Sequence, residues 1–230
     1  MVNFINFEIQ SKIDMDNSKH LDDIKDIKKM MDKATRFSSL SGFSIVFAGL
    51  LAIIGGFIIY SDLEFFLHDG KLIGYSGLIE GEAGKEDLNR KIKLLLSVGS
   101  LLFLISFLSF YFSGLRKSKN QQVEFWNSSM KRALRALFIP VIAGGVFSMM
   151  LINQGYVGMI APSTLIFYGL GLINASKFTY GDIEVLGYIQ LSLGLISSFF
   201  MGYGLLFWVI GFGVCHIVFG FIFFFKYDRK

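Results

Sequence analysis

The sequence predicts an all-α fold, a polytopic membrane bundle of six transmembrane helices arranged as three outward-turned hairpins. Three observations carry that expectation. The 230 residues are 53% hydrophobic and 17% charged, with a mean hydropathy of +0.56, whereas soluble domains carry about 25% charged residues. Four stretches contain no Asp, Glu, Lys or Arg: 37–61, 94–115, 136–176 and 185–225. Those stretches are apolar on every side, which excludes the short alternating strands of a membrane β-barrel. With 2 Pro, 1 Cys and 25 Gly, the chain is not disordered, collagen-like or disulfide-stapled either.

The N-terminal segment, residues 1–36, is polar. Between 18 and 36, Leu21, Ile24, Ile27, Met31 and Ala34 recur every three or four residues while Lys25, Lys28 and Lys29 fall elsewhere, which predicts an amphipathic helix. It is expected to lie along the cytoplasmic surface or to continue the first span as a stalk. Two readings stay open for it, a membrane anchor and a docking site for a cytosolic protein. Because a long polar segment precedes the first apolar stretch and no small-residue cleavage site follows, that stretch is not expected to be a cleaved signal peptide.

The first two charge-free stretches, 25 and 22 residues long, each match one crossing, since about 20 residues of helix cover a hydrocarbon core of ~30 Å. They place spans at about 38–60 and 94–115. The other two are 41 residues each, and must double back. In the first of them Asn153-Gln154-Gly155 supplies a polar, glycine-containing turn, and Pro162 stands where the next helix begins, a position that needs no N–H. In the second, Gly202-Tyr203-Gly204 suits a tight turn at the water boundary. The resulting spans are 134–152, 161–177, 183–201 and 205–225.

Between the first two spans, 62–93 reads as an external loop with seven acids and five glycines from Asp62 to Arg90. Its two readings are a ligand or cation contact and a plain solvated loop; the acid spacing fits no calcium loop, which favours the second. Phe65, Phe66, Leu67, Leu72 and Ile73 are able to dip part of it into the interface. Seventeen Lys and Arg flank the spans on the side of the two termini and five lie on the other. By the excess of positive charge in cytoplasmic loops, both termini are cytoplasmic. The same placement explains the net charge of +4 and the pI near 9.0, so nucleic acid is not an expected partner.

Polar groups inside the apolar runs are few. His216 sits near the middle of the sixth span, and an ionisable group at that depth is a functional candidate by default. A neutral imidazole bonded to a neighbouring helix is the competing, structural reading. Gln190, Tyr168, Asn174 and Thr164 are the other side chains able to bond between helices, and with His216 they make up the candidate intramembrane site. A proton relay would need a second ionisable group at depth, but Asp182 and Glu184 stand at the end of the fifth span. Helix contact faces are expected where small residues repeat: Ser44, Ala48, Ala52 and Gly56, and Gly187 with Gly194. Gly144-Gly145 after Pro140 marks either a hinge or a packing notch. Cys215, the lone cysteine, reads as a packed thiol.

No phosphate-binding loop, nucleophile elbow, zinc-protease motif, paired cysteines or dinucleotide fingerprint occurs. No catalytic, cofactor-binding or metal-binding residues are expected, and the chain reads as non-enzymatic.

A resemblance joins these readings. The stretches Ile139-Pro140-Val141-Ile142-Ala143-Gly144-Gly145, Ala161-Pro162-Ser163-Thr164-Leu165-Ile166-Phe167-Tyr168-Gly169-Leu170, Asn174-Ala175-Ser176-Lys177 and Gly202-Tyr203-Gly204-Leu205-Leu206-Phe207-Trp208, then Gly211-Phe212-Gly213 and His216, with Met30 to Phe37 and Ser39 to Gly42, resemble an uncharacterised multi-pass inner-membrane family of Bacteroidetes. The resemblance implies a bacterial inner-membrane location and brings no activity. It further implies a regulatory partnership with a small winged-helix transcriptional regulator encoded alongside. The last hairpin also resembles the HdeD-like acid-resistance membrane proteins, which repeat short glycine-rich hairpins three times; the long acidic loop departs from that layout.

The function expected is that of a scaffold or sensor that engages a cytosolic regulatory protein. The alternative is a small oligomeric transporter or channel with a polar path near His216. The lipid bilayer is the partner that the composition requires, and a cytosolic protein and further copies of the chain in a homo-oligomer are the candidates beside it.

Overall fold

The computed structural model describes residues 39–63 and 82–229. The expected amphipathic helix at 18–36 lies outside the described residues, as does most of the acidic loop. Among the described residues every regular element is helical, with no strand: α1 Gly42–Leu63, α2 Glu82–Asn120, α3 Ser128–Asn153, α4 Ile160–Ser176, α5 Asp182–Phe199 and α6 Gly204–Asp228. A lipid environment favours this outcome, because a helix satisfies its own backbone hydrogen bonds.

Five of these helices are long and apolar enough to cross a membrane, over Gly42–Ser61, Ile92–Asn120, Ser128–Asn153, Val157–Ser176 and Gly204–Asp228. The sequence led us to expect six. The difference is α5, 18 residues with Asp182 and Glu184 in its first turn and Gln190 at its middle, which dilute its apolar character. A second difference concerns 62–93, expected as one loop. Helix continues to Leu63 and resumes at Glu82, so α2 is 39 residues, about 58 Å long. Between Lys85 and Lys93 no Gly or Pro interrupts the run into the apolar stretch, so the helix continues into it unbroken.

The turns are set by local chemistry. At the end of α3, Gly155 adopts φ 82°, a conformation that glycine takes without a side-chain clash. Its N–H donates to the Ile152 carbonyl at 3.0 Å and that of Tyr156 to Leu151 at 2.8 Å, satisfying carbonyls that the helix end leaves open. At the start of α3, Asn127 caps the helix, its Oδ1 accepting from the Met130 N–H at 2.8 Å. Pro140 lies inside α3 without ending it. Between α5 and α6 the chain turns through a short 3-10 segment at Met201–Tyr203.

The helices pack through glycine. A Cβ built on Gly169 of α4 would lie 2.8 Å from the Gly187 carbonyl of α5, and one on Gly187 would lie 2.9 Å from the Gly169 carbonyl. The backbones therefore touch. In α1 the close approaches to another helix's backbone fall on a seven-residue row: a Cβ on Gly42 would meet the Gly220 carbonyl at 2.6 Å and one on Gly49 the Gly213 carbonyl at 2.8 Å. The expected face of Ser44, Ala48, Ala52 and Gly56 adjoins this row, with Ser44, Ala52 and Gly56 buried and Ala48 half-buried. Gly144 seats the Phe167 side chain, whereas nothing approaches Gly145. Hence α6 is held between α1 and the α4–α5 pair, while α2 and α3 present long apolar faces outward.

Candidate functional site

Three of the five expected polar side chains meet where α4, α5 and α6 converge. Tyr168 Oη lies 3.0 Å from His216 Nε2. His216 Nδ1 lies 3.0 Å from the Gly211 carbonyl oxygen, which also accepts from Gln190 Nε2 at 2.7 Å. Since a carbonyl can only accept, Nδ1 carries the proton. The neutral ring then leaves Nε2 as acceptor, and Tyr168 donates to it. A neutral His216 is thus matched on both nitrogens, which is what a polar group surrounded by lipid-facing helices requires.

Backbone and rings prepare the site. Val209–Cys215 forms a π-helical stretch within α6, a local widening often found at functional positions. His216 follows it, five residues after Gly211, within reach of the Gly211 carbonyl. Tyr168 and Phe212 flank the imidazole, with ring centroids at 5.6 and 5.8 Å. Gln190 is completely buried and its Oε1 has no hydrogen-bond partner. That oxygen points at the Gly211 backbone, where a Cβ would stand 2.6 Å away. Any residue but glycine there would collide with both Gln190 and Leu165.

The other two expected residues stand apart. Thr164 donates to the carbonyl of Ala161 in its own helix at 2.9 Å, and Asn174 is exposed on the outside of α4. Among the described residues no three His, Cys, Asp or Glu side chains converge as metal ligands.

A second polar cluster closes one end of the bundle. Asp228, at the end of α6, accepts from the Gly42 N–H at 2.7 Å and from Ser41 Oγ at 3.3 Å. Its carboxylate therefore caps the N-terminus of α1, where the helix dipole favours an anion. Lys117, from the last turn of α2, pairs with Asp228 at 2.6 Å and donates also to the Leu40 carbonyl. The two side chains are 14% and 11% exposed, so this pair is shielded from water. Beside it, Lys226 pairs with Asp182 at the start of α5 at 2.7 Å, and Tyr227 donates to the same carboxylate at 2.9 Å. The hydrogen bond from Lys226 holds the Asp182 carboxyl below the usual carboxylate range. In the α4–α5 connection, burial and then the nearby Asp228 charge push Tyr180 up to about 12.

Sequence reasoning missed Asp228, Lys117 and Gly211. A lone acid in the basic tail was the available sign for Asp228. Gly211 contributes only its carbonyl, which no side-chain pattern announces.

No protein-family model, curated protein or solved structure matches this chain.

Proposed function

We propose that the chain is a non-enzymatic integral membrane protein of the bacterial inner membrane, a scaffold or sensor that engages a cytosolic regulatory protein. Its six helices all cross the bilayer, α5 included, and both termini are cytoplasmic. The crossing of α5 is supported by its backbone contact with α4 at Gly169 and Gly187, which carries the less apolar helix through alongside a span. Sidedness is supported by the seventeen cations flanking the spans at the terminal side. The resemblance to inner-membrane proteins of Bacteroidetes supports the location and the regulatory partner.

The observation that favours a scaffold or sensor over a conduit is the closure of the Tyr168, His216 and Gln190 cluster. A transport path needs polar groups that water or a solute can reach. Here Tyr168 and the Gly211 carbonyl occupy both nitrogens of His216, and Gln190 is completely buried. Two measurements test the reading. Proteoliposomes of the intact chain should show no solute flux, and His216→Cys in a Cys215→Ser background should resist charged thiol reagents from either side. Deletion of residues 1–35 should abolish recovery of a cytosolic partner. Labelling at position 216 together with flux would transfer the assignment to a transporter or channel, and unchanged partner recovery would remove the N-terminal segment from the interface.

A further inference from the structure

The first two turns of α3 go against local helix electrostatics. The N-terminal end of a helix dipole favours acidic side chains, and like charges three or four residues apart repel. Yet the first turn of α3 holds no acid, and Lys131, Arg132 and Arg135 are all exposed. Arg135 lies one turn from Lys131 and three residues from Arg132, so the three heads share one side of the helix. Among the described residues the one hydrogen bond from these side chains runs from Arg135 Nε to the Lys131 carbonyl at 3.4 Å. None of the three enters an ion pair among the described residues, whereas Lys117 pairs with Asp228 and Lys226 with Asp182. The nearest acid along the chain, Glu124, precedes the helix.

The same face continues as an apolar row. Ile139, Ile142 and Val146 follow at three- and four-residue steps and are 67%, 62% and 58% exposed. Just before α3, Trp126 is also exposed, its ring held edge-on to Phe125 at 5.6 Å, as suits an aromatic at a membrane surface. Cations above and aliphatic side chains below match the layout of a phospholipid, headgroup above and acyl chain beneath. A zwitterionic headgroup brings its own cation and leaves the three heads uncompensated. An anionic one supplies the missing charge. An acidic protein segment would neutralise the heads but offers nothing to the row beneath them.

We infer that this face of α3 binds an anionic phospholipid, its phosphate held by Lys131, Arg132 and Arg135 and its acyl chain lying along Ile139, Ile142 and Val146. The inference rests on the proposed bilayer location of α3. Replacing Trp208 by Phe leaves Trp126 as the sole tryptophan of the 2 present and so provides a local reporter. The full chain is reconstituted in phosphatidylcholine bilayers containing brominated phosphatidylglycerol or brominated phosphatidylcholine, and quenching of Trp126 gives the relative binding constant. Phosphatidylglycerol should be preferred by about fivefold or more, given the attraction of each basic residue to an anionic surface. The preference should vanish in K131Q/R132Q/R135Q and persist in K177Q, which removes an exposed cation elsewhere. If the triple variant does not insert, R132Q and R135Q should each lower the ratio about twofold or more. Equal quenching by both lipids in inserted protein, or a preference that survives the substitutions, overturns the site. Failure of the parent chain to insert into any bilayer would instead overturn the membrane reading on which it rests.

Discussion

Tyr168 and His216 hold each other in one protonation pattern, and that pattern depends on a backbone atom. The Gly211 carbonyl fixes the proton on Nδ1, which obliges Nε2 to accept from Tyr168. Replacing Tyr168 by Phe would leave a buried acceptor unpaired, at a cost of about 0.5–2 kcal/mol for a bond between helices in a bilayer. A double-mutant cycle with His216→Phe, read by thermal unfolding in lipid, should therefore return a coupling of that order. Purely additive losses would mean that the 3.0 Å contact contributes nothing. Tyr168, Gln190 and His216 were legible in the sequence because polar side chains are rare in its apolar runs. Rarity did not separate them from Asn174 and Thr164. Which polar groups turn inward depends on helix rotation, and the uniformly apolar surroundings of these spans fix no rotation in the sequence.

At the scale of elements, the helices meet through glycine rows as well as through large buried side chains such as Leu165, Leu172, Leu186 and Phe223. Without a hydrophobic force between helices in lipid, close backbone approach supplies the dispersion contacts that hold them together. Gly169→Ala would place a methyl 2.7 Å from the Leu191 backbone nitrogen, and rigid backbone on that side cannot yield. A loss of about 1–3 kcal/mol is expected, as for overpacked cores. Gly145→Ala, with nothing nearby, should be neutral or slightly stabilising through helix propensity. Comparing the two variants by thermal unfolding checks the argument, and similar behaviour would refute it. Charge-free stretches made the apolar helices visible, and Gly155 and Gly204 marked their turns. The N-terminal part of α2 escaped because a charged, glycine-containing segment carries no apolar period. The π-helical stretch at Val209–Cys215 escaped as well, since an extra residue in a helical turn leaves no mark on composition.

At the scale of the whole molecule, Asp228 joins helices that are far apart in sequence. It caps α1, neutralises Lys117 of α2 and ends α6. Removing one partner of a shielded ion pair leaves the other charge uncompensated, which costs about 3–5 kcal/mol in buried settings. Asp228→Asn keeps the shape and removes the charge, so it should lower stability by about 3 kcal/mol, the lower end of that range, because some water reaches the pair. Lys117→Met combined with Asp228→Asn should recover part of the loss, since no orphan charge remains. Unfolding of the three proteins in one lipid composition checks this, and a double variant worse than the single would count against the pair. Contacts between residues 111 positions apart have no local signature, which is why this end of the bundle was not legible in advance.

The carboxylate that finishes α1 is carried by α6, which follows it by five helices. Until α6 has docked, the leading amide groups of α1 lack that acceptor. The earliest helix is therefore fastened late, and assembly of the bundle closes like a clasp at this joint.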